Sequence, residues 1–451
     1  MSFNIERNGK KRIIIVGGGF GGLKLAKKLK NSGMQVVLID KNNYHQFPPL
    51  IYQIASAGME PSSISFPFRK IFRKRKDFHF RMAEVRAIVP EMNMIQTSIG
   101  KAEYDYLVFA AGTTTNFFGN EHIEDEAMPM KTVSEAMGLR NALLANFERS
   151  VTCATEQERR ELLNVVIVGG GATGVEIAGV ISEMKKYVLP YDYPDMESSQ
   201  LHVFLIEAAG RLLSGMSEES SAKSEQFLRE MGVNVCLHKK VVDYKDHKVV
   251  LEDGMEIPTR TLIWVSGVKA VPITNLNPEL IGRGGRIKVD AYNRVEGLDN
   301  VFAIGDQCIQ TSDKDYPYGH PQLAQVAIQQ GVLLAKNLKR LEKGKAMKAF
   351  HYRNLGSMAT VGRNRAVVEF KKVKMQGWFA WILWLVVHLR SILGIRNKVM
   401  VFLNWVWNYL TYDQSMRMIV YARKAKEVRE RELREATTHL GDDILKPAQK
   451  E

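Results

Sequence analysis

The chain of 451 residues carries 63 Lys and Arg against 49 Asp and Glu, a formal net charge of +14 at pH 7. Its length gives room for two or three domains with full hydrophobic cores, and its 45% hydrophobic and 25% charged residues are ordinary for a globular protein. The three cysteines, Cys153, Cys236 and Cys308, are far apart, which excludes a CxxC pair, a zinc knuckle and a disulfide framework. The ten histidines show no HExxH spacing, so we predict no metal site. The polar segment 1–10 lacks the apolar core of a secretory signal, and we expect a reducing compartment.

A strand that runs straight into a glycine turn lies near the start of the chain. Residues 11–16 (KRIIIV) lead directly into residues 17–22 (GGGFGG). In a dinucleotide-binding turn the first glycine makes the bend and the second lets the backbone approach a pyrophosphate, while the third lets the next helix pack on its strand. The amide groups at the start of that helix attract the phosphate charge. The pattern therefore predicts a nucleotide site at this turn.

The same pattern occurs a second time, far along the chain. Residues 165–168 (VVIV) lead into residues 169–174 (GGGATG). One such match is weak because glycines also mark ordinary turns. Two matches in full strand-and-turn context predict two nucleotides, placed so that electrons can pass between them.

An acidic residue follows the next strand in each unit. The strand 34–39 (MQVVLI) ends at Asp40 and the strand 201–206 (LHVFLI) ends at Glu207. A carboxylate at this position binds ribose hydroxyls. Because Glu207 would repel a 2′-phosphate, NADH is favoured over NADPH; the nearby Arg211 leaves this preference open.

The order of the segments predicts an α/β fold with one domain inserted in the other. The first unit closes with a strand at 106–110 and the second with a strand at 262–265. A short apolar strand then ends at Gly305 and Asp306, which indicates a return to the first sheet. We predict two Rossmann-like dinucleotide-binding domains, the second inserted in the first, plus a C-terminal membrane-surface helical region. The predicted boundaries are 1–120 and 286–348 for the first domain, 121–285 for the second and 349–451 for the C-terminal region.

The C-terminal region is rich in tryptophan. Five of the six tryptophans lie between Trp378 and Trp407, in the apolar runs 377–389 (GWFAWILWLVVHL) and 399–412. The first run is too short to span a bilayer, which needs ~20 apolar residues. Since tryptophan favours the membrane interface, we predict two short helices lying on a membrane. A buried helix pair or a dimer interface is the alternative.

Half of the net positive charge lies in the same region. From Lys371 to Glu451 there are 15 Lys and Arg against 8 Asp and Glu, a surplus of 7 out of 14. A basic surplus fits a nucleic acid or an anionic membrane, and the neighbouring apolar residues favour the membrane. The basic run 69–76 has no aromatic RNA-binding motif beside it, so we predict no nucleic-acid partner. The segment 423–435 alternates in charge sign, which is typical of a solvated or partner-facing helix.

With both glycine turns present, the sequence resembles the two-dinucleotide-binding flavoproteins and, within them, the type II NADH:quinone oxidoreductases. The most specific segments are 45–55 (HQFPPLIYQIA), 300–306 (NVFAIGD) and 324–329 (AQVAIQ). The last matches the AQxAxQ element of that family, which lines the quinone site against the flavin. The glycine turns alone would support only membership of the flavoproteins. The AQxAxQ element and the tryptophan-rich region favour the type II NADH:quinone oxidoreductases among them.

The resemblance implies FAD in the first domain and NADH in the second. It assigns the ADP half of FAD to the first glycine turn and Asp40, the adenine to Val85, and the ribityl chain or phosphates to Asp306. The second glycine turn and Glu207 would hold NADH. The implied cofactor-binding residues are Gly17, Gly18, Gly19, Phe20, Gly21, Gly22, Asp40, Lys41, Val85, Asp306, Ala324, Gly169, Gly171, Gly174, Glu207 and Gly267.

The resemblance also implies three catalytic residues, Glu176, Gln325 and Gln329. Glu176 would lie near the nicotinamide and the flavin, where a carboxylate positions the cofactor or relays a proton. Gln325 and Gln329, four apart on one helix face, would offer amide groups to a quinone carbonyl. The alternatives are an exposed first-turn carboxylate that complements the helix dipole and a solvated pair of glutamines.

One position departs from the family. Many members place a lysine of the C-terminal region near the flavin and quinone, whereas the only ionisable side chain within 377–389 is His388. Either His388 takes that role or no residue of the region does. A histidine satisfied within a core or an interface is the alternative.

The predicted function is the FAD-dependent oxidation of NADH with two-electron reduction of a membrane quinone (ubiquinone or menaquinone), without proton pumping. We expect a peripheral, monotopic protein on the cytoplasmic face of the cell membrane and leave open whether it forms a homodimer. A sulfide:quinone oxidoreductase is the nearest alternative, but it needs reactive cysteines at the flavin. A redox-sensing protein that binds NADH and FAD without turnover is an alternative from another class.

Overall fold

Two parallel sheets form the centre of the protein. The structure is a computed structural model that describes residues 3–371, 373–414 and 416–420. The segment 423–435, for which a charged helix is predicted, lies outside these residues. Each sheet has five strands and is built around one of the two predicted strand-and-glycine turns.

The first part of the first domain includes the first glycine turn and ends where the chain enters the second domain. Its helices are α1 (Phe20–Lys28), α2 (Ile51–Ala55) and α3 (Phe68–Phe72). Its strands are β1 (Arg12–Val16), β2 (Gln35–Asp40), β3 (Tyr44–Gln46), β4 (Ser65–Pro67), β5 (Phe78–Met82), β6 (Val85–Val89), β7 (Met94–Thr97), β8 (Gly100–Glu103), β9 (Tyr106–Phe109) and β10 (Thr113–Thr115).

The second domain follows and repeats the plan. Its helices are α4 (Glu121–Glu126), α5 (Val133–Thr152), α6 (Glu156–Leu163), α7 (Ala172–Tyr187), α8 (Leu189–Asp192) and α9 (Glu218–Glu230). Its strands are β11 (Met128–Pro129), β12 (Asn164–Val168), β13 (His202–Ile206), β14 (Val233–Cys236), β15 (Val241–Lys245), β16 (Lys248–Leu251), β17 (Glu256–Pro258), β18 (Thr261–Trp264) and β19 (Val268–Ala270).

The chain then returns to the first domain and ends in the C-terminal region. The returning elements are β20 (Ile287–Lys288), β21 (Val301–Ala303), β22 (Cys308–Ile309) and α10 (Ala324–Leu341). The C-terminal region contains β23 (Ser357–Thr360), β24 (Ala366–Phe370), β25 (Val373–Gln376), α11 (Trp378–Ser391) and α12 (Ile395–Thr411).

All neighbouring strands in the two central sheets run parallel. The first sheet has the order β21–β9–β1–β2–β5 and the second the order β11–β18–β12–β13–β14. Because β21 follows the whole second sheet in the chain yet pairs with β9, the second domain is inserted in the first, as predicted. The residue boundaries at 120, 285 and 348 stay predictions.

The central strands are buried on both faces. Every residue of β1 and of β12 is buried, which explains why these strands are continuous apolar runs rather than alternating patterns. Since the strands are parallel, their carboxyl ends share one edge of each sheet. Each glycine turn follows directly from such an end, and ligands of this fold bind there.

The C-terminal region shares a hydrophobic core with the inserted domain. Tyr52 of α2, Ile181 of α7 and Trp384 of α11 belong to one cluster, and each is at most 5% exposed. A polar contact joins the same parts, since the Ser217 hydroxyl at the N-cap of α9 donates to Glu369 Oε1 of β24 at 2.6 Å. These contacts fix the C-terminal region against α2, α7 and α9.

The two C-terminal helices are short and each follows a glycine. Gly377 and Gly394 have φ of +75° and +77°, a conformation that glycine adopts without strain. The helices correspond to the two predicted apolar runs. Within the described ranges, no helix is both long enough and apolar enough to cross a membrane.

Candidate functional site

The first turn requires glycine for two different reasons. At Gly17 (φ +100°) a Cβ would lie 2.3 Å from the Ala110 carbonyl oxygen, and at Gly22 it would lie 1.9 Å from that of Gly17. The turn and the packing of α1 on β1 therefore need both glycines. At Gly19, with φ of −64°, a Cβ would meet no protein atom within 4 Å. The protein itself does not need glycine there, so the open space is room for a ligand to approach the backbone.

The second turn repeats this arrangement. Gly169 has φ of +117°, and a Cβ there would lie 2.8 Å from the Val265 carbonyl oxygen. A Cβ at Gly174 would lie 1.9 Å from the Gly169 carbonyl oxygen, whereas one at Gly171 (φ −71°) would meet nothing within 4 Å. Both turns thus offer an open cradle at a helix N-terminus, which fits the pyrophosphate of a dinucleotide.

The acidic residue after each second strand binds the glycine turn of its own domain. Asp40 Oδ2 accepts a hydrogen bond from Gly18 N at 2.6 Å, and Glu207 Oε2 accepts one from Gly170 N at 2.5 Å. Burial raises the pKa of Asp40, and hydrogen bonds from Asn42 and Gly18 oppose that rise. Each carboxylate keeps further lone pairs, so a ribose hydroxyl fits beside either turn.

Arg211, the residue that left the nucleotide preference open, is held by its own loop. Its guanidinium donates to the carbonyl oxygens of Met216 at 3.0 Å and Ser214 at 2.9 Å. Glu207 Oε1 meanwhile accepts from Ala209 N at 2.7 Å. The Glu207 carboxylate therefore lies directly at the second turn, where a 2′-phosphate would meet it as a like charge.

Asp306 lies at the carboxyl edge of the first sheet and faces two cations. Burial raises the pKa of Asp306, and the charges of Lys131 and Arg286 oppose that rise. The Lys131 ammonium also donates to Thr113 Oγ1. Lys131 is a candidate cofactor residue that was not predicted, because a single lysine in the segment between β11 and α5 matches no sequence pattern.

The other predicted cofactor residues lie around the same edges. Lys41 follows β2, Val85 begins β6 just after β5 ends, and Gly267 (φ +86°) follows β18. The Phe20 ring packs edge-on against His45, with centroids 5.5 Å apart. The fold therefore brings these predicted residues to the carboxyl edges of the two central sheets.

The start of α10 lies close to the first glycine turn. A Cβ at Gly331 would lie 2.6 Å from the Gly21 carbonyl oxygen, so α1 and α10 cross in direct contact. Gln330 Oε1 accepts from Gly305 N at 2.6 Å and fixes the same helix beside the turn before Asp306. Ala324, the first residue of α10, lies two turns before Gly331.

The two glutamines of the AQxAxQ element have different surroundings. Gln329 Nε2 donates to the Arg353 carbonyl oxygen at 2.9 Å, and Gln329 Oε1 accepts from Arg353 N at 3.1 Å. Gln325 is half-buried on the same helix. Gln329 therefore fastens the segment around Arg353 to α10 and keeps one N–H hydrogen and one oxygen lone pair for a further partner.

Glu176 lies inside the protein. Its residue is only 9% exposed. Burial raises its pKa to about 8, and a backbone hydrogen bond from Thr360 opposes the rise. The alternative in which Glu176 is an exposed carboxylate is therefore wrong. A buried carboxyl that stays largely neutral at pH 7 can donate a proton.

His388 lies where the C-terminal region meets the first domain. Its Nδ1 is 2.8 Å from the Trp384 carbonyl oxygen, and its ring stacks on Trp384 with centroids 3.9 Å apart. Phe47 meets the same ring edge-on at 6.3 Å. Burial lowers the pKa of His388 to about 4, against the effect of that hydrogen bond. The imidazole is therefore neutral at pH 7 and does not supply the positive charge of the family's lysine.

The two C-terminal helices expose a broad apolar face. Of the five tryptophans in this region, Trp384 is buried, and only Trp378 and Trp407, at 47% and 54%, are well exposed. The expectation that tryptophan forms this face is thus only partly correct. Most of it consists of Phe379, Val386, Ile395, Val399, Met400, Phe402, Leu403, Val406 and Leu410. Large apolar side chains exposed in this number mark an interaction site.

The cysteines offer no reactive thiol pair. Cys153, Cys236 and Cys308 are all free, and burial raises the pKa of Cys308 to about 11. A thiol with a raised pKa is a poor nucleophile at pH 7. In the part of the chain that the structure describes, no group of three or more His, Cys, Asp or Glu side chains could hold a metal ion.

Comparison with known families agrees with this geometry. Residues 11–331 match the family model described as pyridine nucleotide-disulphide oxidoreductase, and residues 354–412 match the NDH2 C-terminal domain. The first match covers both glycine turns, and the second covers the C-terminal sheet and both C-terminal helices.

Curated relatives cover nearly the whole chain. The type II NADH:quinone oxidoreductase NdhA of Mycobacterium tuberculosis is 34% identical over 438 residues, which cover 92% of this chain and 91% of that relative. The type II NADH:quinone oxidoreductase of Haemophilus influenzae is 31% identical over 388 residues, which cover 79% of this chain and 86% of that relative.

Solved structures share the fold. NDH2 from Plasmodium falciparum in complex with NADH aligns with a TM-score of 0.83 at 20% identity, over 91% of this chain and 100% of that chain. The sulfide:quinone oxidoreductase from Aquifex aeolicus aligns with a TM-score of 0.70 at 19% identity, over 91% of this chain and 96% of that chain. The family models and the sequence relatives show that the chain belongs to the pyridine nucleotide-disulphide oxidoreductase family and, within it, to the type II NADH:quinone oxidoreductases.

Proposed function

We propose that the protein oxidises NADH and reduces a membrane quinone by two electrons through bound FAD, without proton pumping. The observation that carries this proposal is the pair of open glycine cradles, Gly19 and Gly171, within a chain whose C-terminal region matches the NDH2 C-terminal domain. FAD, when bound, accepts a hydride from NADH and passes two electrons to the quinone.

The chain's own residues bind, orient and supply a proton. Backbone N–H groups at the starts of α1 and α7 hold the two pyrophosphates, and Asp40 and Glu207 hold the riboses. Glu176 keeps a proton in the buried region behind the second turn. Gln325 offers its amide to a quinone carbonyl, and Gln329 holds the Arg353 segment in place. This positioning accounts for catalysis mainly through proximity and orientation.

A sulfide:quinone oxidoreductase is supported less well. The likeness to the Aquifex aeolicus structure is one of fold, and the raised pKa of Cys308 disfavours attack by its thiol. The intact second turn has an evident use only when a second dinucleotide binds.

Cofactor analysis and a steady-state assay test the proposal together. Purified protein should be yellow and release FAD, not FMN, on denaturation, and it should reduce a short-chain quinone rapidly when NADH is added. Protein that retains FAD but reduces no quinone with NADH would contradict the proposal and would favour the redox-sensing alternative.

We predict that NADH is preferred to NADPH and that Glu207→Gln narrows this preference. The carboxylate meets a 2′-phosphate as a like charge, while the Arg211 guanidinium already donates to two carbonyl oxygens of its own loop. The measurement is the ratio of kcat/KM for the two nucleotides in both proteins. Equal use of the two nucleotides by the unaltered protein would refute the role given to Glu207.

The exposed apolar face fits a membrane surface, where the protein would lie peripherally on the cytoplasmic face of the cell membrane. Nine aliphatic, methionine and phenylalanine side chains and two tryptophans form this face. Burying one such side chain fully contributes ~1.5–3 kcal/mol, whereas each basic charge near an anionic surface contributes about 1 kcal/mol and is screened by salt. Apolar burial therefore dominates. A homodimer that uses part of the same face remains an alternative.

We predict that concentrated salt leaves the protein on membranes, whereas mild detergent or the double substitution Leu403→Glu with Leu410→Glu releases it. Both leucines are more than half exposed, so the fold should tolerate the change. The control is Arg396→Glu on the same helix, which should release much less. Sedimentation with vesicles measures the bound fraction; complete release by salt alone would show that charge, not apolar burial, holds the protein.

A further inference from the structure

The basic run 69–76 has no part in the proposed reaction, and most of its charges face solvent. Arg75 is the exception, since its side chain is 8% exposed and donates to both carboxylate oxygens of Asp77, at 2.9 and 2.6 Å. Four other side chains of the run are exposed and, within the residues that the structure describes, form no ion pair or hydrogen bond; these are Lys70, Arg73, Lys74 and Lys76. The fold therefore leaves four positive charges of this run without a partner.

Acidic residues are missing from the sequence around this run and from the C-terminal helices. Neither 61–76 nor 370–412 contains an Asp or a Glu, although each segment contains six Lys and Arg. On α11 and α12, the exposed side chains of Arg390 and Arg396 form no ion pair or hydrogen bond in the described part of the chain. Two segments that are far apart in the sequence thus both carry positive charge that no acidic residue of their own offsets.

The fold brings these two segments together. Asn397 Nδ2, in the first turn of α12, donates to the Ser63 carbonyl oxygen at 3.0 Å. α3 begins five residues after Ser63, so its start lies within ~18 Å of Ser63 even for a fully extended chain. Ile71 of α3 and Leu393, between α11 and α12, also pack against the same two hydrophobic clusters. The free charges of α3 therefore lie beside the junction of the two C-terminal helices.

This junction is also where the exposed apolar face begins. Ile395, Val399 and Phe402 are 83%, 49% and 51% exposed and form a stripe along α12. At about 100° per residue, Arg396 and Lys398 lie on opposite flanks of that stripe. Basic side chains therefore border the apolar face on α12 and continue onto α3. We call this set the basic collar; its members are Lys70, Arg73, Lys74, Lys76, Arg390, Arg396 and Lys398.

We propose that the basic collar binds the headgroups of anionic phospholipids, so that the first domain contacts the membrane through α3 while the apolar face enters the same leaflet. The inference rests on the peripheral membrane placement given under the proposed function and adds a second, charge-dependent contact to it. Lys and Arg clustered beside an amphipathic helix are typical of anionic-lipid binding. A nucleic acid is a poorer partner, because its charged backbone would leave the adjoining apolar face in water.

The double substitution Arg73→Gln with Lys74→Gln removes two charges of the basic collar at exposed positions. Sedimentation measures binding of the full-length protein to two kinds of vesicle, one of phosphatidylcholine alone and one of equal parts phosphatidylcholine and phosphatidylglycerol. At low salt we expect binding to the mixed vesicles to fall roughly 30-fold, which corresponds to about 2 kcal/mol for the two charges. Binding to phosphatidylcholine alone should not change. Concentrated salt should remove the difference, because it screens the charges.

The matched control is Lys240→Gln with Lys245→Gln, which lowers the net charge by the same amount. Both lysines are exposed, at the start and the end of β15 in the inserted domain, and among the described residues their side chains form no ion pair or hydrogen bond. This control should bind both kinds of vesicle as the unaltered protein does. An equal loss in the control would show that only net charge matters, and unchanged binding of the Arg73 and Lys74 variant to mixed vesicles would also refute the proposal.

A second variant, Lys70→Gln with Lys76→Gln, decides the matter if the first fails to fold, and the same loss on mixed vesicles is expected. Fluorescence anisotropy with a labelled single-stranded RNA tests the other partner; RNA binding that depends on these lysines, with vesicle binding unchanged, would overturn the proposal. The unaltered protein separates this inference from the membrane placement on which it rests. Equal binding to both kinds of vesicle refutes the basic collar alone, whereas binding to neither refutes the apolar membrane face as well.

Discussion

The substitution Gly171→Val is expected to lower kcat/KM for NADH by roughly 100-fold, about 2.8 kcal/mol, while FAD stays bound. The protein has open space at this position, since a Cβ would meet no atom within 4 Å and φ is −71°. The added side chain therefore costs the fold little. It would instead occupy the space through which a pyrophosphate approaches the backbone N–H groups of α7. Steady-state kinetics, FAD content and thermal unfolding measure the three quantities.

Two matched substitutions make this result specific. Gly19→Val changes the equivalent position of the first turn and should abolish FAD binding. Gly138→Val places the same side chain at an exposed position of α5 where a Cβ also meets nothing within 4 Å. This control should leave both kcat/KM for NADH and FAD binding unchanged. If Gly171→Val kept normal NADH kinetics, the second turn would not be a pyrophosphate site.

The substitution Glu176→Gln is expected to lower kcat for quinone reduction between roughly tenfold and 100-fold, because an amide cannot donate the proton that the buried carboxyl supplies. In the unaltered protein the activity should fall as pH rises through about 8, where Glu176 ionises. The variant should lack this step. A pH profile of kcat with NADH and a short-chain quinone makes the comparison, and an identical profile in both proteins would contradict the role of Glu176.

The substitution Glu176→Gln, which lowers activity, should raise the stability of the protein against unfolding. Burial raises the pKa of Glu176 from its ordinary 4.5 to about 8, so the folded state binds this proton more tightly than the unfolded state. The resulting stabilisation is fully present below about pH 4.5 and is lost as pH rises through about 8. Thermal unfolding should therefore show Glu176→Gln gaining stability relative to the unaltered protein between pH 5 and pH 8. Such an exchange of stability for function is typical of active sites.

Much of the fold could be predicted because local signals and the global arrangement agree. The strands β1 and β12 are continuous apolar runs that end at Gly17 and Gly169, and both glycines adopt the positive φ that the predicted bend requires. The return of β21 to the first sheet was also predictable, since a short apolar strand followed by Gly305 and Asp306 matches no element of the second domain.

Other features depend on packing that sequence patterns do not reveal. Tyr52 and Thr360 meet only because α2 and β23 both pack against α7. Lys131 faces Asp306 only once the two domains fold together. Long-range contacts of this kind leave no periodic signal in one sequence, so Lys131 was not a candidate. The AQxAxQ glutamines were found by resemblance, but their different surroundings could not be inferred from spacing alone.

The C-terminal region shows why composition is a weak guide to orientation. The two apolar, tryptophan-rich runs correctly predicted two short helices. It did not reveal that Trp384 stacks on His388 within the core shared with α2 and α7. Residues with large rings fill interior gaps as readily as they line a membrane interface, and only the folded arrangement distinguishes the two uses.

The most direct test of the central claim follows the two half-reactions separately, in the absence of oxygen. Stopped-flow absorbance of the purified holoprotein should show the flavin bleached by one equivalent of NADH, and the colour restored when quinone is added, both at rates no slower than kcat. Bleaching by NADH without recovery on addition of quinone, or no bleaching at all, would contradict electron transfer from NADH through FAD to a quinone.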